Sequence, residues 1–276
     1  METALICMKR PFDPVSPSFS PMKRLLFVLV LLFGLIEAAP AAHVVIMAVE
    51  EPDNYDAVNS MSDFAAKDLR PLGHRVTLVV GDKPQKHHFA SLVEALKDAD
   101  LLVLFSRRRF PPKDQLAAIR AHLDAGKPLL GIRTANHAFI PRPKEVITDP
   151  NLTPWPEFTQ EVLGGQNTGY ETKGLPYKVS VAPGAAHSPL LKGVNPANLL
   201  GYQSLYKVLP LASDATPLLI GTADAGATPP QPVAWTRSYG PKKARVFYTS
   251  LGAPEDMRIA DMRRLLLNGV AWTLER

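Results

Sequence analysis

The first half of the chain alternates between short apolar runs and longer amphipathic stretches. Four runs are nearly continuous in apolar residues and predict buried strands: 43–50, 74–81, 100–106 and 128–132. Three stretches between them place apolar residues at helical spacing: 55–73, 88–99 and 111–126. Strands that are apolar on both faces and separated by helices are typical of a parallel sheet with a helical layer on each side. The pattern therefore predicts an α/β fold with a doubly wound sheet.

The pattern changes after about Gly164 to shorter strands and more frequent turns. Five further strands are predicted: 175–183, 205–211, 217–221, 232–239 and 244–252. The closing segment, 256–275, has apolar residues on one helical stripe and predicts a final helix. No segment rich in Gly, Ser or Pro separates the two halves, so we expect one domain over 43–276 with extra β-strands in its C-terminal half.

The N-terminal residues have the parts of a secretory leader. Lys23 and Arg24 precede an apolar run of 12 residues, and Ala39 and Ala41 supply a small-residue cleavage site. We therefore interpret 22–41 as a signal peptide and 1–21 as a misassigned extension before the real start at Met22. An uncleaved N-terminal anchor is the alternative. Export to the periplasm is expected, without a stable membrane span after cleavage, because the apolar run is shorter than the roughly 20 residues of a span.

Composition and charge exclude several classes of function. The net charge of +5 is spread along 276 residues without a long Lys/Arg run, so we expect no nucleic-acid partner. Cys7 is the single cysteine, which leaves no disulfide and no cysteine nucleophile in the domain. The histidines lack metal-binding spacing, and no glycine-rich phosphate loop follows a strand. We therefore expect no metal and no cofactor; a homo-oligomer is compatible with the sequence.

Polar residues follow the ends of three predicted strands. In parallel sheets ligands bind beyond the carboxyl ends of the strands. The residues singled out there are Glu51, Arg107, Arg109, Arg133, Asn136 and His137. Glu51 could equally belong to a solvated acidic loop and His137 could be a packing residue. Adjacent arginines point in opposite directions, so we expect one or two of the three at 107–109 to face a pocket.

Several segments together resemble the ThuA-like, trehalose-utilisation type family of the class I glutamine amidotransferase-like superfamily. They include GIRTANHAF (131–139), EVLGGQNTGY (161–170) and ARVFYTSLG (244–252). The resemblance implies a flavodoxin-like sheet. In true amidotransferases a G-x-C-x-G turn carries the nucleophile, and its cysteine position falls here on Arg133. A guanidinium cannot replace a thiolate, so we expect no glutaminase activity.

The resemblance also implies a role in carbohydrate metabolism, with a sugar or keto-sugar derivative as the small-molecule partner. In that case Arg133 would bind a carbonyl or hydroxyl oxygen, His137 or Glu51 would move a proton, and Tyr170 and Asn136 would orient the ring. Relatives often carry histidine where this chain has Tyr170 and Ala253. Two alternatives stay open: a non-catalytic domain that binds a carbohydrate or small anion, and a structural partner in an exported complex.

Overall fold

The computed structural model describes residues 41–50, 55–81, 85–172, 175–224 and 228–275. The strands are β1 His43–Ala48, β2 Arg75–Val80, β3 Leu101–Phe105, β4 Leu129–Ile132, β5 Tyr177–Val181, β6 Thr216–Ala223, β7 Gln231–Tyr239 and β8 Ala244–Thr249. The α-helices are α1 Ala57–Phe64, α2 Leu92–Lys97, α3 Lys113–Asp124 and α4 Ala260–Leu274. Residues 1–40, which hold the predicted extension and all but the last residue of the predicted leader, lie outside the described residues. Within the described ranges no helix combines the length and apolarity needed to cross a membrane.

All eight strands form one sheet in the order β2-β1-β3-β4-β8-β7-β6-β5. The first five in that order are parallel, and β7, β6 and β5 continue the sheet antiparallel from β8. The parallel part has the flavodoxin-like 2-1-3-4-5 order, with β8 in the fifth place. The α/β, mostly parallel architecture predicted from the sequence is therefore confirmed, and the extra C-terminal strands are its antiparallel extension.

Two apolar cores lie on the opposite faces of the sheet. Successive residues of the central strands alternate between them: Ile46 and Val103 pack with α1 and α4, whereas Met47 and Leu104 pack with α2 and α3. Every residue of β1 is buried. A strand covered on both faces needs apolar side chains at every position, which is why the pattern along the sequence is continuous rather than alternating.

One predicted strand is wrong. The segment 205–211 forms no strand; its Tyr206 makes a single isolated bridge to Tyr170. The backbone N–H groups of Val208 and Leu209 donate instead to the Gln231 side chain, at 2.9 and 3.2 Å. The next residue, Pro210, has no N–H to offer. The segment is therefore an irregular connection. Its apolar sequence is one that a strand would also have, which explains the wrong prediction.

The buried imidazole of His122 on α3 makes stability depend on pH. Its Nε2 contacts the carbonyl oxygen of Pro128 at 3.0 Å, and burial lowers its pKa from 6.5 to about 4. The unfolded chain therefore binds more protons between those two values, and stability is lost as the pH falls. We expect this group to lower the free energy of unfolding by about 2 kcal/mol as the pH falls from 7 to 5. In urea unfolding, the free energy of unfolding of the His122→Gln variant should fall between pH 7 and pH 5 by that amount less than the free energy of unfolding of the wild type. The exposed His187→Gln variant is the control, and an equal dependence in all three proteins would contradict the assignment.

Candidate functional site

A cleft of about 1020 Å³ lies beyond the carboxyl ends of the parallel strands. Its walls come from the segments that follow β1, β3, β4 and β8, joined by residues of 167–170 and 203–206. We call it the strand-end cleft, and its principal polar and aromatic residues are Tyr55, Arg107, Arg108, His137, Tyr170 and Tyr206. The sequence predicts a site at this edge because parallel strands bring their carboxyl ends together.

The turn after β4 has the geometry of a nucleophile turn. Arg133 has a φ of 41°, in the left-handed region, and begins a short 3-10 turn that ends at His137. The surrounding backbone approaches closely: a Cβ on Gly131 would lie 3.0 Å from the Tyr248 ring, and one on Gly252 would lie 2.6 Å from the Ile132 side chain. The Tyr248 hydroxyl donates to the Arg133 carbonyl oxygen at 2.8 Å. This sharp turn is therefore held by Tyr248 on β8 and by Gly252 in the segment that follows β8.

The Arg133 side chain lies beneath the strand-end cleft and does not line it. It is fully buried, and its guanidinium donates to the carbonyl oxygens of Ser250 and Ser204 and to the Tyr55 hydroxyl, the last two at 3.3 and 3.4 Å. The rings of Tyr55 and Tyr206 lie on it at 4.4 and 4.7 Å. Since both tyrosines line the cleft, Arg133 supports its floor. A direct grip on a ligand oxygen, as the sequence suggested, is not the arrangement seen.

The three arginines after β3 divide between the cleft and the protein interior. Arg108 has a φ of 47°, which interrupts the alternation of side chains, so that Arg107 and Arg108 both line the cleft. Arg109 is buried, and its Nη1 donates to the carbonyl oxygens of Arg107 and Arg108 at 3.0 and 3.2 Å. Sequence reasoning selected Arg107 and Arg109 and missed Arg108, because strict alternation holds only while the backbone stays extended.

His137 lines the cleft beside these two arginines. The backbone N–H of Arg108 donates to the His137 carbonyl oxygen at 3.1 Å, which ties the loop after β3 to the turn after β4. Burial lowers the pKa of His137 well below its ordinary value, and the charges of Arg108 and Arg107 lower it further. The imidazole is therefore neutral at pH 7. No hydrogen bond to its ring nitrogens is found in the described part of the chain.

The remaining predicted residues lie in different surroundings. Tyr170 stands at the rim of the cleft with 62% of its surface exposed. Asn136 is buried outside the lining, and its Nδ2 donates to the carbonyl oxygen of Gln166 at 3.1 Å. Ala253 is buried, and its N–H donates to the Asp256 carboxylate. Glu51 lies outside the described residues.

Backbone strain is concentrated around the cleft. Among the described residues, seven other than glycine have a positive φ, and four of these line the cleft or lie directly beneath it: Tyr55, Asp56, Arg108 and Arg133. Non-glycine residues in this conformation cost free energy and cluster at functional sites. The sequence pattern predicts a helix that starts at Tyr55, whereas α1 starts at Ala57 and leaves Tyr55 and Asp56 in the left-handed region. The described residues contain no group of three or more His, Cys, Asp or Glu arranged to hold a metal ion.

Comparison with known proteins identifies the family. A family model described as ThuA, trehalose utilisation, matches residues 49–273. The chain belongs to the ThuA family. None of the curated proteins matches it. A crystal structure of a ThuA-like protein from Bacteroides uniformis ATCC 8492 has a TM-score of 0.60 at 16% identity and covers 85% of this chain and 92% of that chain. One from Parabacteroides merdae ATCC 43184 has a TM-score of 0.58 at 15% identity, with 85% and 90% covered.

Membership of the ThuA family confirms the resemblance read from the sequence motifs. The matched region includes the turn at Arg133 and the strand-end cleft. The fold is consistent with the glutamine amidotransferase-like superfamily, in which a turn after a parallel strand presents the nucleophile. In this ThuA protein the turn keeps its left-handed backbone, while the side chain at its tip points into the core.

Proposed function

We propose that this ThuA-family protein is exported and acts in carbohydrate utilisation, binding a sugar or keto-sugar derivative in the strand-end cleft and moving a proton with His137. The observation that carries the proposal is that His137 lines the cleft together with Arg107 and Arg108, and that burial and their charges lower the pKa of its imidazole. A neutral imidazole accepts a proton, and guanidinium groups stabilise the negative charge that develops on a carbonyl oxygen when a neighbouring C–H is deprotonated.

The walls of the cleft suit a ring that carries several hydroxyl groups. Exposed Tyr170 offers an aromatic face at the rim, and amide and hydroxyl groups of Asn167, Thr168 and Gln203 lie along the same wall. Apolar faces combined with a few polar groups that fix orientation are typical of small-molecule sites. A polyhydroxylated ring has both kinds of surface, which supports a sugar as the ligand.

Glutaminase activity is not part of the proposal. The turn that would present a thiolate carries Arg133, whose guanidinium is buried and donates to carbonyl oxygens. The single cysteine, Cys7, precedes the family-matched region. Export rests on the leader-like sequence 22–41.

A second candidate function is binding without catalysis. Two observations favour it: a strongly lowered pKa makes His137 a weak base, and no carboxylate in the described part of the chain hydrogen-bonds to its ring. A base that is not oriented by a second group is typical of a site that only binds. The two candidates differ in turnover but share the ligand.

We expect an NMR time course with disaccharides, glycosides and their 3-keto forms to show turnover of at least one compound. The protein would be expressed with its leader and recovered from the periplasmic fraction, and its N-terminal residue determined, which tests export.

His137→Gln should lower turnover by about 100-fold because the proton acceptor is removed. Tyr170→Ala should weaken binding by about 3- to 10-fold because the ring face is lost.

Matched controls separate these effects from general damage. Tyr202→Ala removes another exposed tyrosine that does not line the cleft, and His187→Gln removes an exposed histidine; both should behave as wild type. Binding without turnover, lost in Tyr170→Ala, would identify a binding protein. Absence of both binding and turnover with every compound would refute the proposed function.

A further inference from the structure

The strand-end cleft is lined by two consecutive arginines. Arg107 and Arg108 both line it, because the left-handed backbone of Arg108 turns consecutive side chains to the same side. The Arg108 guanidinium is held in place by one hydrogen bond, from Nη1 to the carbonyl oxygen of Ile140 at 2.8 Å. This hydrogen bond holds the Arg108 side chain against the cleft wall before a ligand arrives, and the other nitrogens of the Arg108 guanidinium make no hydrogen bond within the described part of the chain.

We propose that the ligand of this cleft is an acidic sugar, a uronate, whose carboxylate is bound by Arg107 and Arg108. The inference rests on the proposed sugar-binding function and specifies the class of its ligand. Planar guanidinium groups match the two oxygens of a carboxylate and form charge-assisted hydrogen bonds with it.

The electrostatic surroundings of the two arginines support an anion between them. Arg142 is a third nearby cation, and burial together with the charges of Arg107 and Arg142 lowers the pKa of Arg108. Like charges held close together in a partly buried site repel, and a bound anion relieves that repulsion. Glu145 also acts on Arg108, but its carboxylate is exposed and already accepts from the Arg142 backbone N–H at 2.7 Å.

Two acidic residues in the lining limit the charge of the ligand. Asp56 and Glu255 also line the cleft, and both are exposed. The Asp56 carboxylate accepts from the Asn59 side chain at 2.7 Å. Two carboxylates in the lining disfavour a dianion more than a monoanion. A single carboxylate on a ring that otherwise carries hydroxyl groups therefore fits this lining better than a sugar phosphate does.

His137 lines the same cleft and supplies a further polar group for the proposed ligand. Its uncharged imidazole can donate to or accept from a hydroxyl group without competing for the carboxylate. In this orientation the carboxylate lies against Arg107 and Arg108, a ring hydroxyl or carbonyl meets His137, and a ring face reaches Tyr170.

Calorimetric titration with matched sugars tests the proposal. D-Glucuronate should bind about 10- to 100-fold more tightly than D-glucose, the gain expected from charge-assisted hydrogen bonds. This preference should shrink as NaCl is raised, a wild-type readout that needs no variant. Arg108→Gln should lower affinity for glucuronate more than for glucose, so that the ratio between them falls. Arg75→Gln, which removes an exposed guanidinium at the opposite end of the sheet, should leave the ratio unchanged.

Glucose 6-phosphate and inorganic phosphate are the comparison ligands. Binding of either more tightly than glucuronate would overturn the carboxylate assignment. Glucose binding as tightly as glucuronate would overturn the inference while leaving the proposed sugar function intact. Absence of binding by every sugar would refute the proposed function itself, so the two failures are distinguishable.

Discussion

Replacing Arg133 by alanine should lower the free energy of unfolding by about 4–5 kcal/mol. The guanidinium is fully buried and donates to two backbone carbonyl oxygens, those of Ser204 and Ser250. Truncation leaves a cavity and takes the donor from both carbonyls, and each effect alone is costly in a core. Tyr55 and Tyr206 also lose the cation on which their rings pack. Urea unfolding followed by circular dichroism measures the change.

Two further variants test this prediction, one as a control and one that changes Arg133 more conservatively. Arg75→Ala removes an exposed guanidinium paired with Asp98 and should change stability by less than about 1 kcal/mol. Arg133→Lys keeps the charge but loses the planar fork, so its stability should fall between those of wild type and Arg133→Ala. Equal stability of wild type and Arg133→Ala would show that the guanidinium does not hold the floor of the cleft together.

The central sheet was predictable because burial on both faces leaves a strong mark on the sequence. Continuous apolar runs such as that of β1 occur where helices cover both sides, and the carboxyl ends of such strands share one edge. That geometry alone placed Arg107 and His137 in one cleft. The segment 205–211 has a similar apolar pattern but forms no strand. The N–H groups of Val208 and Leu209 donate to the side chain of Gln231, a residue that no local pattern connects to them.

The direction of the Arg133 side chain could not be predicted from the sequence either, because its hydrogen-bond partners are also distant along the chain. Its place at the tip of the turn follows from local order, but the direction of its side chain depends on carbonyl oxygens of Ser204 and Ser250, which lie 71 and 117 residues away. The prediction that Arg109 rather than Arg108 faces the cleft was wrong for a local reason. One left-handed residue reverses the alternation, and arginine gives no signal for that conformation as glycine would.

Substituting alanine for Gly201 should destabilise the protein by about 3 kcal/mol or more. A Cβ at this position would lie 2.0 to 2.3 Å from three ring atoms of Tyr177, which is fully buried at the start of β5. The backbones of the two residues are also hydrogen-bonded to each other, at 3.0 and 3.2 Å, so neither can move away alone. Relief of this clash would therefore displace the following segment, 202–206, which carries part of the cleft wall. We therefore expect weaker sugar binding as well as lower stability.

A double-mutant cycle separates the clash from other effects of the added methyl group. In a Tyr177→Leu background the ring is absent, so Gly201→Ala should cost at least about 1 kcal/mol less than in the wild type. Gly184→Ala provides the comparison, because that glycine has a φ of 80° and open space around its Cβ position. It should show only the cost of a left-handed alanine, about 1 kcal/mol. An equal cost of Gly201→Ala in both backgrounds would mean that the Tyr177 ring is not what excludes a side chain there.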